Sequence, residues 1–165
     1  MRTQSLDNFC AWLEQTPISQ TIQSTAWIVP AVQTVHILAI AAVMSSVLMI
    51  DLRLIGVLGR DQSLARVFER FKPVIWWTLP ILLATGIIMI IGEPARSLEN
   101  SVFQLKMTLL VAAIIVTLSF QIPLRANAAF WELSSGRRTA VKMIAVLSLL
   151  LWVGIVFAGR WIAYA

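Results

Sequence analysis

From Ile28 to Ile50 the chain runs without a single formal charge. A helix rises 1.5 Å per residue, so about 20 apolar residues cross the hydrocarbon core of a bilayer. A stretch of this length needs either lipid or a large protein core around it. The remaining sequence offers three more apolar stretches and little polar surface to cover them. The chain is 59% hydrophobic and 13% charged, with a mean hydropathy of +0.83. Soluble domains carry roughly 25% charged residues. The chain therefore reads as an all-α integral membrane protein.

The apolar stretches predict spans at about 27–50, 74–91, 102–122 and 143–162. With short connections they predict an up-down-up-down bundle of four transmembrane helices. Residues 1–25 are too polar to cross. Leu6, Phe9, Trp12 and Leu13 recur there at helical spacing, which predicts a short amphipathic helix on the membrane surface, ended or turned at Pro17. This gives two parts, an amphipathic segment 1–25 and a transmembrane domain 26–165. Asp51-Leu52-Arg53 marks the expected return of the first span to water. Leu64, Val67, Phe68 and Phe71 predict a separate surface helix leading to Pro73. Single tryptophans and the Trp76-Trp77 pair sit at interfacial heights.

The basic residues set the expected orientation. The 51–72 connection holds five Lys or Arg and the 123–142 connection four, against one in 92–101 and one in the N-terminal segment. By the positive-inside rule both basic connections face the cytoplasm of a bacterial inner membrane, and both termini face the periplasm. No basic stripe with interleaved aromatics suggests a nucleic-acid partner. The expected partners are the lipid bilayer and, beyond it, a redox protein or a second copy of the chain. Cys10 is the lone cysteine, so neither an internal disulfide nor a Cys-rich metal site is expected. Residues 1–23 lack the pattern of a secretory signal.

The chain's single histidine, His36, lies inside the first span. An ionisable residue there is a functional candidate by default. Gln33 precedes it by three on the same helix face. Lys106 opens the third span and Arg160 ends the fourth, so three helices offer Gln33, His36, Lys106 and Arg160 to one half of the bundle. A neutral imidazole is the usual haem-iron ligand. Ala39, Ala42, Ser45 and Ser46, with Ala84 and Gly86, supply the small side chains that a flat macrocycle needs. The same small residues also serve plain helix packing. One histidine excludes two-histidine ligation within one chain, so a sixth ligand would come from Lys106, a methionine or a second copy. At the opposite end Asp51, Arg53, Gln121, Arg125 and Asn127 gather. There Asp51 pairs with Arg53 or Arg125, or an arginine holds an anionic group such as a propionate. The alternatives are a structural His36 hydrogen-bonded to a neighbouring helix, and Lys106 and Arg160 snorkelling to the headgroups.

The runs HILAIAAVMSSVLMIDLRLIG, ATGIIMI, NSVFQLKMTLL and SLLLWVGIVFAGRWIAY resemble a family of small bacterial inner-membrane proteins of unknown function, from Trp12 to Tyr164. More distantly, His36, Arg53 and Lys106 are similar in placement to residues of HemJ-type protoporphyrinogen oxidases and, in layout, to CopD-like membrane domains. Val43-Met44-Ser45-Ser46 stands where the HemJ-type proteins have a tryptophan and a glycine. This second resemblance implies haem b and tetrapyrrole chemistry. The expectation is a haem b or related tetrapyrrole protein, with His36 as metal ligand, Gln33, Arg53, Gly86, Lys106 and Arg160 around the cofactor, and a redox or electron-transfer role. The competing expectation is a non-catalytic membrane subunit, or an accessory protein for small-molecule binding or transport, with a structural His36.

Overall fold

The computed structural model describes residues 4–58, 61, 63–126 and 134–162, the side chains of 121 and 124–126 excepted. Among them the helices are α1 (Gln4–Glu14), α2 (Pro17–Ser24), α3 (Ile28–Ile55), α4 (Leu64–Gly92), α5 (Pro94–Leu98), α6 (Ser101–Ala126) and α7 (Ser135–Trp161). Helices α3, α4, α6 and α7 are long and apolar enough to cross a membrane. Ile37, Leu38, Leu83, Leu150 and Phe157 all lie about two-thirds exposed on their outer faces. So much contiguous apolar surface is stable only against lipid. The protein is an all-α, multi-pass membrane protein with a short helical N-terminal segment.

Local chemistry sets the helix ends. Ser63 Oγ accepts from the Arg66 amide at 3.4 Å and starts α4. Ser134 Oγ accepts from the Arg137 amide at 3.3 Å and starts α7. Asn100 Oδ1 accepts from Val102 and Phe103 amides at 2.8 and 3.3 Å at the start of α6. Each pairs an amide that has no partner within its helix. Gly56 closes α3 with φ of 87°, the left-handed conformation in which a Cβ is penalised.

Several boundaries differ from the sequence expectation. The stripe at Leu64, Val67 and Phe68 is not a separate surface helix. It is the first part of a 29-residue α4 that runs through both Pro73 and Pro80. Proline removes one backbone bond, and Glu69, whose carbonyl loses that bond at Pro73, is exposed. Leu64, Val67 and Phe68 are buried, which is why the helix continues. Helix α3 likewise extends to Ile55, and Asp51 does not mark a return to water, being only 4% exposed. Helix α6 passes Pro123 to reach Ala126. The N-terminal segment forms two helices. Cys10 faces the protein, while Phe9 and Trp12 of the stripe expected on the membrane surface are exposed, with ring centroids 5.9 Å apart.

Helix α3 packs chiefly on α4 and then on α7, and α7 also packs on α6, while α4 and α6 approach each other little among the described residues. Small residues let the backbones close. A Cβ on Gly154 of α7 would stand 3.4 Å from Leu109 Cδ1 of α6, and Ala113, Ala145 and Ala158 are buried. At the end formed by the long connections, Leu54, Leu64, Phe68, Phe120, Val141 and Ala145 seal the bundle. The other end carries α1, α2 and α5. There Ser19 Oγ donates to the Ile91 carbonyl at 2.7 Å and Gln23 Nε2 to the Gly92 carbonyl at 2.9 Å. These two side chains satisfy the carbonyls that the end of α4 leaves open. Cys10 is 1% exposed. Burial, reinforced by Glu99, Glu14 and Asp7, pushes its thiol pKa above the ordinary value.

Candidate functional site around His36

Two adjacent residues of α4, Thr85 and Gly86, meet His36 of α3. Thr85 Oγ1 lies 2.6 Å from the Ile81 carbonyl and 3.2 Å from that of Leu82. Its one proton goes to Ile81, the usual partner of a threonine inside an apolar helix. The same oxygen stands 2.7 Å from His36 Nδ1. With its proton already used, Thr85 accepts, so Nδ1 carries the hydrogen and Nε2 carries the lone pair. Nε2 has no hydrogen-bond partner among the described residues, and it is not among their fully enclosed polar atoms. The imidazole is thus fixed from one side and open from the other.

Gly86 leaves the side of the ring unobstructed. A Cβ built there would lie 3.9 Å from His36 Cε1, in ordinary contact, and any longer side chain would reach over the ring. From α6, Lys106 is half-buried and acts electrostatically on His36. Its stem runs along Gly159 of α7, whose Cβ would stand 3.9 Å from both Cε and Nζ. The lysine therefore lies in the seam between α6 and α7.

The other expected site residues divide. Gln33 and Arg160 lie at the same end of the bundle as His36, and both side chains are exposed. Arg53 is seventeen residues beyond His36 on the same helix, which is about 25 Å at helical rise, so the fold does not bring the two together. Of the small residues, Ala39 and Ser46 are buried in the seam of α3, while Ser45 and Ala84 are exposed. Asp51 lies near Ser148 of α7, and the two line one cavity. Ion pairs form between Lys72 and Glu69 at 3.1 Å and between Arg96 and Glu93 at 2.8 Å. Arg60, Asn127, Trp131, Glu132, Tyr164 and the side chains of Gln121 and Arg125 lie outside the described residues.

Thr85 is the partner that the sequence reading missed. Its signal is a hydroxyl within an apolar span, immediately before a glycine. The donor set suits one metal ligand rather than a chelating group: no cluster of three or more His, Cys, Asp or Glu exists among the described residues. A haem iron, with four nitrogens of its own, asks the protein for an axial imidazole, and the oriented, open Nε2 of His36 fits that demand.

Four membrane-crossing helices around one oriented histidine define a multi-pass membrane protein with a candidate ligand site near one end of its bundle. The chain belongs to a family of unknown function, DUF6644, whose model matches residues 9–165. No curated protein and no solved structure matches it.

Proposed function

We propose that this protein binds haem b, or a related tetrapyrrole, through His36 Nε2 and has a redox or electron-transfer role in the bacterial inner membrane. One observation carries the reading: Thr85 Oγ1 lies 2.7 Å from His36 Nδ1 while bonding the Ile81 carbonyl at 2.6 Å, an arrangement in which Nδ1 donates and the lone pair falls on Nε2. Metal-bound histidines nearly always donate their second ring N–H to an acceptor in this way. Gly86 keeps bulk away from the ring, and Lys106 supplies a positive charge for an anionic edge of the ligand, such as a propionate. The haem iron supplies one-electron chemistry when bound. The chain's share is to hold the imidazole in one tautomer and to balance charge.

With one histidine present, any further ligand to the iron would come from Lys106, a methionine or a second copy of the chain. The excess of Lys and Arg in the two long connections supports an orientation with both termini in the periplasm. A reporter fused after Ala165 that works only in the cytoplasm would contradict that orientation.

The second reading is a non-catalytic membrane subunit in which His36 simply pins α3 to α4. The same 2.7 Å bond to Thr85 favours it, because that bond alone satisfies half of the ring. An absorption spectrum of the detergent-purified protein from haem-replete cells separates the two. A Soret band that is lost in His36→Ala supports haem binding. A folded, colourless preparation selects the pin.

A further inference from the structure

Asp51 is the one carboxylate that the apolar part of α3 contains. It sits about 22 Å along that helix from His36 at helical rise, so nothing bound at His36 explains it. Its Oδ2 is enclosed and has no hydrogen-bond partner among the described residues. The carboxyl lines a cavity of about 40 Å³ to which all four long helices contribute, among them Ile50, Phe68, Thr117, Phe120 and Ser148. Such a volume accommodates one or two water-sized particles, each of which needs roughly 10–15 Å³.

The Thr117 hydroxyl proton is already used: Thr117 Oγ1 donates to the Ala113 carbonyl at 2.8 Å, so it turns lone pairs toward the cavity. Ser148 lines the same cavity and interacts with the Asp51 carboxyl. The other lining side chains are apolar, and Trp152 Nε1, an orphaned N–H among the described residues, does not line it. A buried carboxylate oxygen without a donor is strongly unfavourable. Among the described residues the cavity therefore presents oxygen acceptors and one negative charge, and Asp51 Oδ2 has no donor.

We propose that Asp51, Thr117 and Ser148 form a binding site for one monovalent cation, supplied either as Na⁺ with a water molecule or as a proton on Asp51 with a water molecule. A divalent ion is a poor match, because hard divalent ions gather several carboxylates and the cavity has one. Charged neighbours whose side chains are described do not line the cavity. Glu69 and Lys72 of α4 pair with each other on the outer surface, Lys142 of α7 is exposed, and Arg53, two residues along α3, does not line the cavity.

The test uses the full chain in lipid nanodiscs at neutral pH, with two readouts. The first is thermal unfolding as NaCl replaces choline chloride at constant ionic strength. The second is the infrared band of a protonated carboxylic acid, which exposed carboxylates do not give at this pH. A Na⁺-dependent rise in Tm that Asp51→Asn abolishes assigns the site to Na⁺. An acid band that Asp51→Asn removes assigns it to a proton. Thr117→Val and Ser148→Ala leave Asp51 in place, so they carry the comparison even where Asp51→Asn does not insert. Each should weaken Na⁺ binding by about tenfold, the scale of one lost polar contact, or shift the acid band. A wild-type protein with neither a Na⁺-dependent Tm nor an acid band overturns the proposal. So does a Na⁺ response or an acid band that all three variants retain unchanged.

Discussion

Thr85→Val removes one hydroxyl and keeps the shape of the side chain, so it isolates the contact that orients His36. Thr85 is 7% exposed, and water does not readily replace the lost acceptor. His36 Nδ1–H then stays unpaired at a cost of about 1–3 kcal/mol, lowered toward the small end by the half-exposed ring. The ring can relieve that cost by turning, or by moving its proton to Nε2. Either response takes away the aimed lone pair. Loss of such an outer partner typically lowers metal affinity by about 10–100-fold. The assay is titration of haem into cofactor-free protein in detergent, followed by the Soret band, with thermal unfolding in parallel. Thr85→Val should bind about 10–100-fold more weakly and unfold slightly earlier. Thr85→Ser keeps the hydroxyl and should stay close to the parent. A valine variant that binds haem with the parental affinity and spectrum would refute the orienting role.

Three further outcomes follow from other contacts. Lys106→Met keeps length and removes charge, so it should loosen cofactor retention in repeated washing while leaving insertion intact, and Lys106→Arg should keep part of it because charge but not compact geometry survives; parental retention in Lys106→Met would make the lysine an interface anchor. Gly92→Ala would set a Cβ 2.9 Å from Ile22 Cγ2, and the β-branched, buried Ile22 cannot turn away cheaply. Helix α2 should lift from the end of α4, lose the Ser19 and Gln23 bonds at about 1 kcal/mol each, and show faster amide exchange over 17–24; unchanged exchange would contradict this packing. The raised pKa of Cys10 leaves less thiolate at any given pH, and its burial blocks access, so the folded protein should react slowly with a maleimide and quickly once unfolded. Alkylation of the folded protein at the rate of a free thiol would contradict it.

The four spans were legible because absence of charge over a bilayer's thickness has few other meanings. Their ends were less so. Pro73 and Pro123 read as stops, yet each helix continues through its proline, since one missing N–H is tolerable where the freed carbonyl finds another partner. Asp51 read as the step into water because a carboxylate is normally solvated; a serine on a helix almost a hundred residues later in the chain changes that, and no local pattern announces it. The stripe of α1 reads as lying on the membrane surface, and its Phe9 and Trp12 stand exposed; that the opposite contact, on α5 and α4, centres on Cys10 is not written in that periodicity. At the site, helix order and depth placed His36, Gly86 and Lys106 near one another. Thr85 and Gly159 needed the register between helices, which periodicity within one helix does not contain.

The most direct test of the central claim is chemical rescue at His36. Glycine at that position, His36→Gly, removes the ring and leaves a space beside Gly86 into which free imidazole fits. The account predicts a haem-bound parent, a variant that purifies without haem, and return of haem and of a Soret band on addition of imidazole. Thr85→Val in the same background should weaken that rescue, because Thr85 would orient the free imidazole as it orients His36. A His36→Gly protein that holds haem with the parental spectrum in the absence of imidazole, or a folded parent that takes up no haem at all, contradicts the account.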